Sequence, residues 1–356
     1  MNRKRYLFSL IILYILVSIF SNCKNSKPPD PSLSKRPLIL KGQKIELSET
    51  FSAIDLKIVD SLLVILTYGD PFKFHVYNKN TLKFIGKFGS EGRGPSEYLL
   101  PSIMSQEIRI KDSSLLLIYD NTLRRLNYVN ILEAIDKTNY YPKSISFHDR
   151  KISQVDILGS AVVSADSFIV GTSNTSNSGR FFCYDIYKNN MKWEPYYPAT
   201  KIAPREGFQD DLYTTHLTLR PNSVDIAAAS LFFKRIDVLD KKGNLKRTIV
   251  FENKNKEPDF SNANSWPPKG SHEYFTSISS TQSFIYALDI DLNVDDREII
   301  DTVSLIKTTW EDLGTPPVIF KLTPKILKMD VDEENNKIFG VELFSSCIHL
   351  YNMNQH

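Results

Sequence analysis

Cysteine and histidine are scarce in this chain of 356 residues, with three and six copies, and neither type is spaced to hold a metal ion. His75, His148, His216, His272, His349 and His356 include no pair at ligand spacing and no His-Glu-x-x-His, so each reads as a strand or surface residue. A Gly-x-Ser-x-Gly nucleophile turn is missing, and so is the Gly-Lys-Ser/Thr ending of a phosphate loop. These absences leave no catalytic, metal or cofactor site to expect. Excess charge is also lacking. The formal +3 is supplied by Arg3, Lys4 and Arg5, and the chain beyond residue 22 carries 41 basic and 41 acidic side chains, which gives nucleic acid nothing to bind.

What is present is most legible at the amino terminus. A basic start is followed by an apolar run from Tyr6 to Phe20 and then by small or polar residues up to Cys23, the layout of a secretory signal over residues 1–22. The run spans 15 residues, short of the roughly 20 that cross a bilayer as a helix, so a permanent transmembrane anchor is the second choice. Residues 23–37 are polar and contain four prolines, which predicts an extended tether. Phe20-Ser21-Asn22-Cys23 resembles the lipobox of bacterial lipoproteins, although Asn22 stands where that motif has Gly, Ala or Ser; the other reading is plain secretory cleavage. The resemblance implies lipidation at Cys23 and a membrane partner held through lipid. Lys24 in place of Asp implies the outer membrane, and the lack of an acidic run after Cys23 implies its periplasmic side.

The remaining residues, 38–356, repeat. A polar turn followed by a short apolar run recurs six times, with first apolar residues Leu62, Leu115, Phe168, Val224, Phe284 and Ile338 at spacings of 53, 53, 56, 60 and 54. The first copy shows the internal pattern best, with strands expected over Ile54 to Val59, Leu62 to Thr67, Phe72 to Tyr77 and Leu82 to Phe88. About four strands per unit, six times over, predicts an all-β, six-bladed β-propeller. A helical solenoid would need apolar residues at helical period, and only Thr122 to Lys137 approaches that, with a short helix or bulged loop expected near Asn130 to Ile135. The last copy ends after three strands, so Leu38 to Leu47 is expected to close the sixth blade as its outermost strand. Cys183 and Cys347 then fall three blades apart, too distant for a disulfide, and read as buried thiols.

Gly86-Lys87-Phe88-Gly89-Ser90-Glu91-Gly92-Arg93-Gly94-Pro95-Ser96-Glu97-Tyr98 resembles the inter-blade linker of TolB-like and NHL-like six-bladed propellers. The resemblance implies that this stretch is a reversing loop between blades and that many relatives are lipoproteins of Gram-negative bacteria. Pro204 to Phe208 is a degraded copy. Asp289 to Asp296 has the acid spacing of a calcium loop, but Val294 stands where that loop turns on Gly and Ile300 where it needs Glu, so a solvated strand and turn is expected. Trp266, in the long segment Lys254 to Gly270, is the candidate binding-loop residue, set to stack on a sugar or a partner side chain, or simply to pack its own loop. The leading expectation is a non-catalytic binding or scaffold protein of the cell envelope with a protein or carbohydrate partner at the propeller face. The alternative is a calcium-dependent hydrolase or lactonase using the channel, and a third reading is a purely structural partner in a membrane complex.

Overall fold

The structure, a computed structural model, describes residues 37–110, 113–137, 139–154, 157–164, 168–173, 179–194, 212–251, 271–295 and 301–354. Two short strands, β1 (Leu38–Lys41) and β2 (Gln43–Glu46), come first. Six sheets follow in chain order. The first holds β3 (Ala53–Val59), β4 (Leu62–Thr67), β5 (Phe72–Asn78) and β6 (Phe84–Ser90), within two residues of the strands expected from alternation. The second holds β7 (Pro101–Ile110), β8 (Ser113–Asp120), β9 (Arg125–Val129) and β10 (Lys143–Ser146), and the third β11 (Ile157–Ser164), β12 (Phe168–Ser173), β13 (Phe181–Asp185) and β14 (Asn190–Glu194). The fourth is built of β15 (Thr215–Leu219), β16 (Ile226–Ser230), β17 (Arg235–Leu239) and β18 (Leu245–Val250). The fifth contains β19 (His272–Ser280), β20 (Phe284–Asn293), β21 (Val303–Thr309) and β22 (Val318–Thr323), and the sixth β23 (Lys328–Asp332), β24 (Lys337–Val341) and β25 (Cys347–Asn352). Five of the six repeat runs start within the second strand of a blade, and the fourth, at Val224, starts two residues before it.

The near-continuous apolar second strands follow from where successive side chains point. Along β4, Leu62, Val64 and Leu66 join Leu116 and Ile118 of the second blade in one core, while Leu63 and Ile65 join Phe339, Val341 and Ile348 of the sixth in another. A blade is therefore buried on both faces, and alternation divides its side chains between two neighbours rather than between core and solvent. The same division yields six cores, one per blade junction, and the core between sixth and first blades closes the ring. The polar residues before the second strands turn the chain: Asp60, Asn222 and Asn336 adopt positive φ (51°, 54° and 53°), a conformation that Asn and Asp tolerate better than most residues.

Closure differs from the expectation in one respect. The stretch Leu38 to Leu47 does not act as one outer strand of the sixth blade. Its second half, β2, pairs antiparallel with β25 and supplies the missing fourth strand, but its first half, β1, pairs parallel with β22 as a fifth strand of the fifth blade. The two halves are separated by Gly42, whose amide donates to Thr323 O at 2.7 Å. A Cβ there would lie 2.6 Å from the buried Tyr351 ring, so glycine is what lets the strap pass from one blade to the next.

The first-to-second linker forms the expected reversal, with its start shifted. Gly86 to Ser90 still belong to β6, and the loop begins at Glu91. A side chain at Gly92 (φ 153°) would overlap the Glu97 carboxylate, which folds back to accept from Gly94 N at 2.7 Å. Arg125 then donates to Gly94 O and Glu97 O, and Asp120 accepts from Leu99 N and Leu100 N, fastening the loop to the second blade. The short helix α1 (Ile131–Asp136) forms where the apolar spacing placed it, capped by the Asn130 side chain on Glu133 N. Cys183 in β13 and Cys347 in β25 are buried free thiols three blades apart. No helix among the described residues is long and apolar enough to cross a membrane.

Candidate functional site

The innermost strands β3, β7, β11, β15, β19 and β23 all begin at one face of the ring, called here the upper face, and converge around its axis. Among them lies a cavity of about 380 Å³, within the range of about 300–1,000 Å³ typical of small-molecule sites. Among the described residues five blades contribute to it, through residues such as Asp55, Ser102, His216, Ser277 and Lys328. An open groove of about 840 Å³ also lies between β10 and the turn at Ile186 to Asn189. That groove is at the outer rim and draws on two blades only, so the axial cavity is the stronger candidate.

Two of the cavity's four charges neutralise each other. Lys57 Nζ lies 2.8 Å from Asp330 Oδ2, which also accepts from Ile58 N at 2.8 Å, while Asp330 Oδ1 accepts from Ser279 Oγ and from Val331 N. One carboxylate thus joins the fifth, sixth and first blades at the axis, and its lone pairs are spent. The other two charges are not so matched. Lys328 Nζ donates to Thr276 O at 3.0 Å, Asp55 Oδ1 accepts from Leu56 N at 2.8 Å, and no ion pair joins Lys328 to Asp55. Burial pushes the Asp55 carboxyl pKa up, against the pull of Lys328. The ring of His216, also on the wall, makes no hydrogen bond among the described residues; burial, reinforced by the Lys328 charge, pushes its pKa down to about 3, so the ring is neutral at pH 7.

This donor set does not fit a divalent cation. Asp330 is consumed by Lys57, and the one other carboxylate that the described residues place in the cavity, Asp55, shares it with the Lys328 ammonium, whose charge repels a metal ion. Among the described residues no group of three or more His, Cys, Asp and Glu side chains is arranged to hold a metal. The acid-rich run from Asp289 forms the strand and turn expected as far as Asp295, but it is not solvated throughout. Asp289 is buried in β20 and pairs with Lys234 of the fourth blade at 3.1 Å, and Asp291 pairs with the same Lys234 at 3.2 Å and with His272 at 3.1 Å. The alternation there buries one acid against the neighbouring blade, and the chain supplied a lysine to meet it.

Of the residues singled out from sequence, Cys23, Trp266 and the segment Pro204 to Phe208 lie outside the described residues. The cavity residues were missed because they share no local motif: Lys57 and Asp330 are 273 positions apart. Their common signal is positional, since each sits in the first strand of a repeat.

No protein-family model matches the sequence, and no curated protein matches it. Solved structures do. A member of the DUF4221 family from Bacteroides vulgatus is 13% identical, with 90% of this chain and 96% of that one covered, at a TM-score of 0.54. A Bacteroides fragilis protein named as exported is 10% identical over 88% of this chain and 94% of that one, at a TM-score of 0.48. The Pan2 WD40 domain of Neurospora crassa is 12% identical over 88% and 96%, at a TM-score of 0.43. At these identities the first likeness bears on fold alone. The chain is a six-bladed β-propeller whose sixth blade is completed by a strand from the amino-terminal side.

Proposed function

We propose that the protein is a TolB-like or NHL-like lipoprotein of the cell envelope, anchored through Cys23 in the outer membrane on its periplasmic side, whose propeller binds a small ligand in the axial cavity without transforming it. The observation that carries this reading is the set of under-used polar groups, Lys328, Asp55 and His216, converging on one cavity at the ring's axis. Polar groups in a recessed site whose hydrogen-bonding capacity is only partly filled gain from a ligand that fills the rest.

Strand direction supports the anchoring half of the proposal. Inner strands start at the upper face and each antiparallel neighbour reverses, so the outermost strand β22 starts at the lower face. Because β1 runs parallel to β22, with Leu38 opposite Phe320, the chain enters the ring at the lower face. The cavity mouth, at Leu100, Ser102 and Asn121, is on the other face and is directed away from the point where the tether arrives. The upper face also exposes Phe51, Tyr68 and Phe344, the latter two in edge contact with ring centroids 5.8 Å apart, which suits a carbohydrate or protein partner at the rim. Native mass spectrometry of the protein extracted from membranes in mild detergent tests the proposal. The expected species begins at a lipidated Cys23 and carries a small-molecule adduct, and the mouth-blocking Ser102→Trp variant loses the adduct. An unmodified Cys23, or an adduct indifferent to Ser102→Trp, contradicts it.

A further inference from the structure

We infer that the ligand of this cavity is a small zwitterion, an α-amino acid with an apolar side chain, bridging Lys328 through its carboxylate and Asp55 through its ammonium group. The inference rests on the cavity being a binding site, as proposed above, and adds the chemistry of what it holds.

Charge selects the class. With Lys57 and Asp330 paired, the Lys328 ammonium and the Asp55 carboxyl are the two charge-bearing groups that the described lining leaves facing the same space without touching, and a ligand ammonium beside Asp55 would favour its ionised form against the effect of burial. A ligand carrying one charge would satisfy one of them and leave its own field unbalanced against the other in a site largely shielded from water. A phosphate dianion would need more than a single unneutralised ammonium, and among the described residues the lining has no arginine and no glycine-rich amide cradle. A fatty acid would leave Asp55 and His216 facing hydrocarbon. A molecule with separated opposite charges matches both walls at once.

The other lining groups set the remainder. Lys328 spends one proton on Thr276 O and Asp55 one oxygen on Leu56 N, so two ammonium protons and a carboxylate oxygen are left for a ligand. Neutral His216 offers either a donor or an acceptor beside Lys328. Beside these groups the described lining mixes small polar residues, Ser102, Ser105 and Ser277, with apolar ones, Met104, Leu217, Ile278 and Met329, whose side chains are largely buried between the blades. A volume of about 380 Å³ stands near the lower end of small-molecule sites, the scale of an amino acid rather than of a nucleotide or an oligosaccharide.

Isothermal titration of the full mature chain with leucine, leucinamide and 4-methylpentanoate tests the inference, since the two analogues lack the carboxylate charge and the ammonium group respectively. Leucine is expected to bind at least tenfold more tightly than either. Lys328→Met should weaken leucine by tenfold or more while sparing leucinamide, and Asp55→Asn should weaken leucine while sparing 4-methylpentanoate; circular dichroism of each variant confirms that the ring is intact. Failure of leucine to bind, equal affinity for the three compounds, or wild-type leucine affinity in either folded variant overturns the inference. If leucine fails but the membrane-extracted protein carries an adduct that Ser102→Trp removes, the cavity remains a binding site and only the ligand class falls. If that adduct is missing too, both readings fall.

Discussion

At the scale of single residues, the ring is held by buried charges that each meet a partner on the next blade. Arg180 of the third blade reaches Asp237 of the fourth, where both side chains have no exposed surface, and Arg235 and Thr248 complete the shell of that carboxylate. Burial opposes ionisation of Asp237, but Arg180 and Arg235 outweigh it and its pKa lies below the usual carboxylate value. A depressed carboxylate pKa contributes stability that is present above about pH 4 and is lost as pH falls through the folded value. Asp237→Asn removes the buried anion that Arg180 and Arg235 share, and urea denaturation should show a loss of about 3–5 kcal/mol. His216 acts over a higher window. Its folded pKa, about 3, lies below the value of about 6.5 expected when unfolded, so the unfolded chain binds the extra proton between those limits and stability falls as pH drops from 6.5 toward 3. In His216→Gln, denaturation midpoints measured from pH 7 to pH 4 should decline less steeply than in the wild type; an unchanged slope contradicts the assignment. Gly42→Ala should cost about 1–3 kcal/mol by forcing a methyl group against the Tyr351 ring, measured in the same way.

Among the elements, the strap Leu38 to Glu46 does the most for its length, since nine residues cover the outer edge of one blade and complete another. Leu40 is fully buried in the core between fifth and sixth blades, and Ile45 packs on the core that joins the sixth to the first. Removing residues up to 42 should therefore destabilise mainly the fifth-blade edge, whereas removing residues up to 46 should abolish the single cooperative thermal transition followed by far-ultraviolet circular dichroism. Similar melting of the two truncated proteins and the whole chain would show that the strap is dispensable. Much of this level was legible in the sequence. Turn residues such as Asp60 and Asn336, followed by apolar runs, located the second strands because turn chemistry and alternation are local. The split of Leu38 to Leu47 between two blades was not legible, because it depends on Gly42 meeting Tyr351, which is 309 positions away and becomes a neighbour only when the ring closes. The burial of Asp289 escaped for the same reason: its partner Lys234 sits on another blade.

For the molecule as a whole, the repeat count determined the architecture, and the architecture determined where chemistry can gather. Six radial sheets with apolar faces on both sides pack only against one another, and the first strand of each is brought to a common axis. Lys57, Lys328, Asp55, His216 and Asp330 are unremarkable one by one in sequence and become a cavity only there. The axial site, the separation of its mouth from the end where the chain enters, and the ion pairs between blades all depend on a ring sealed by the strap. Hydrogen exchange of the mature protein, resolved to short peptides, tests that seal most directly. The amides of Leu38–Lys41 and Gln43–Glu46 that face β22 and β25 should exchange as slowly as those strands, because they open only when the ring opens. Exchange of both segments at the rate of an unpaired chain, with β22 and β25 still protected, would contradict the account.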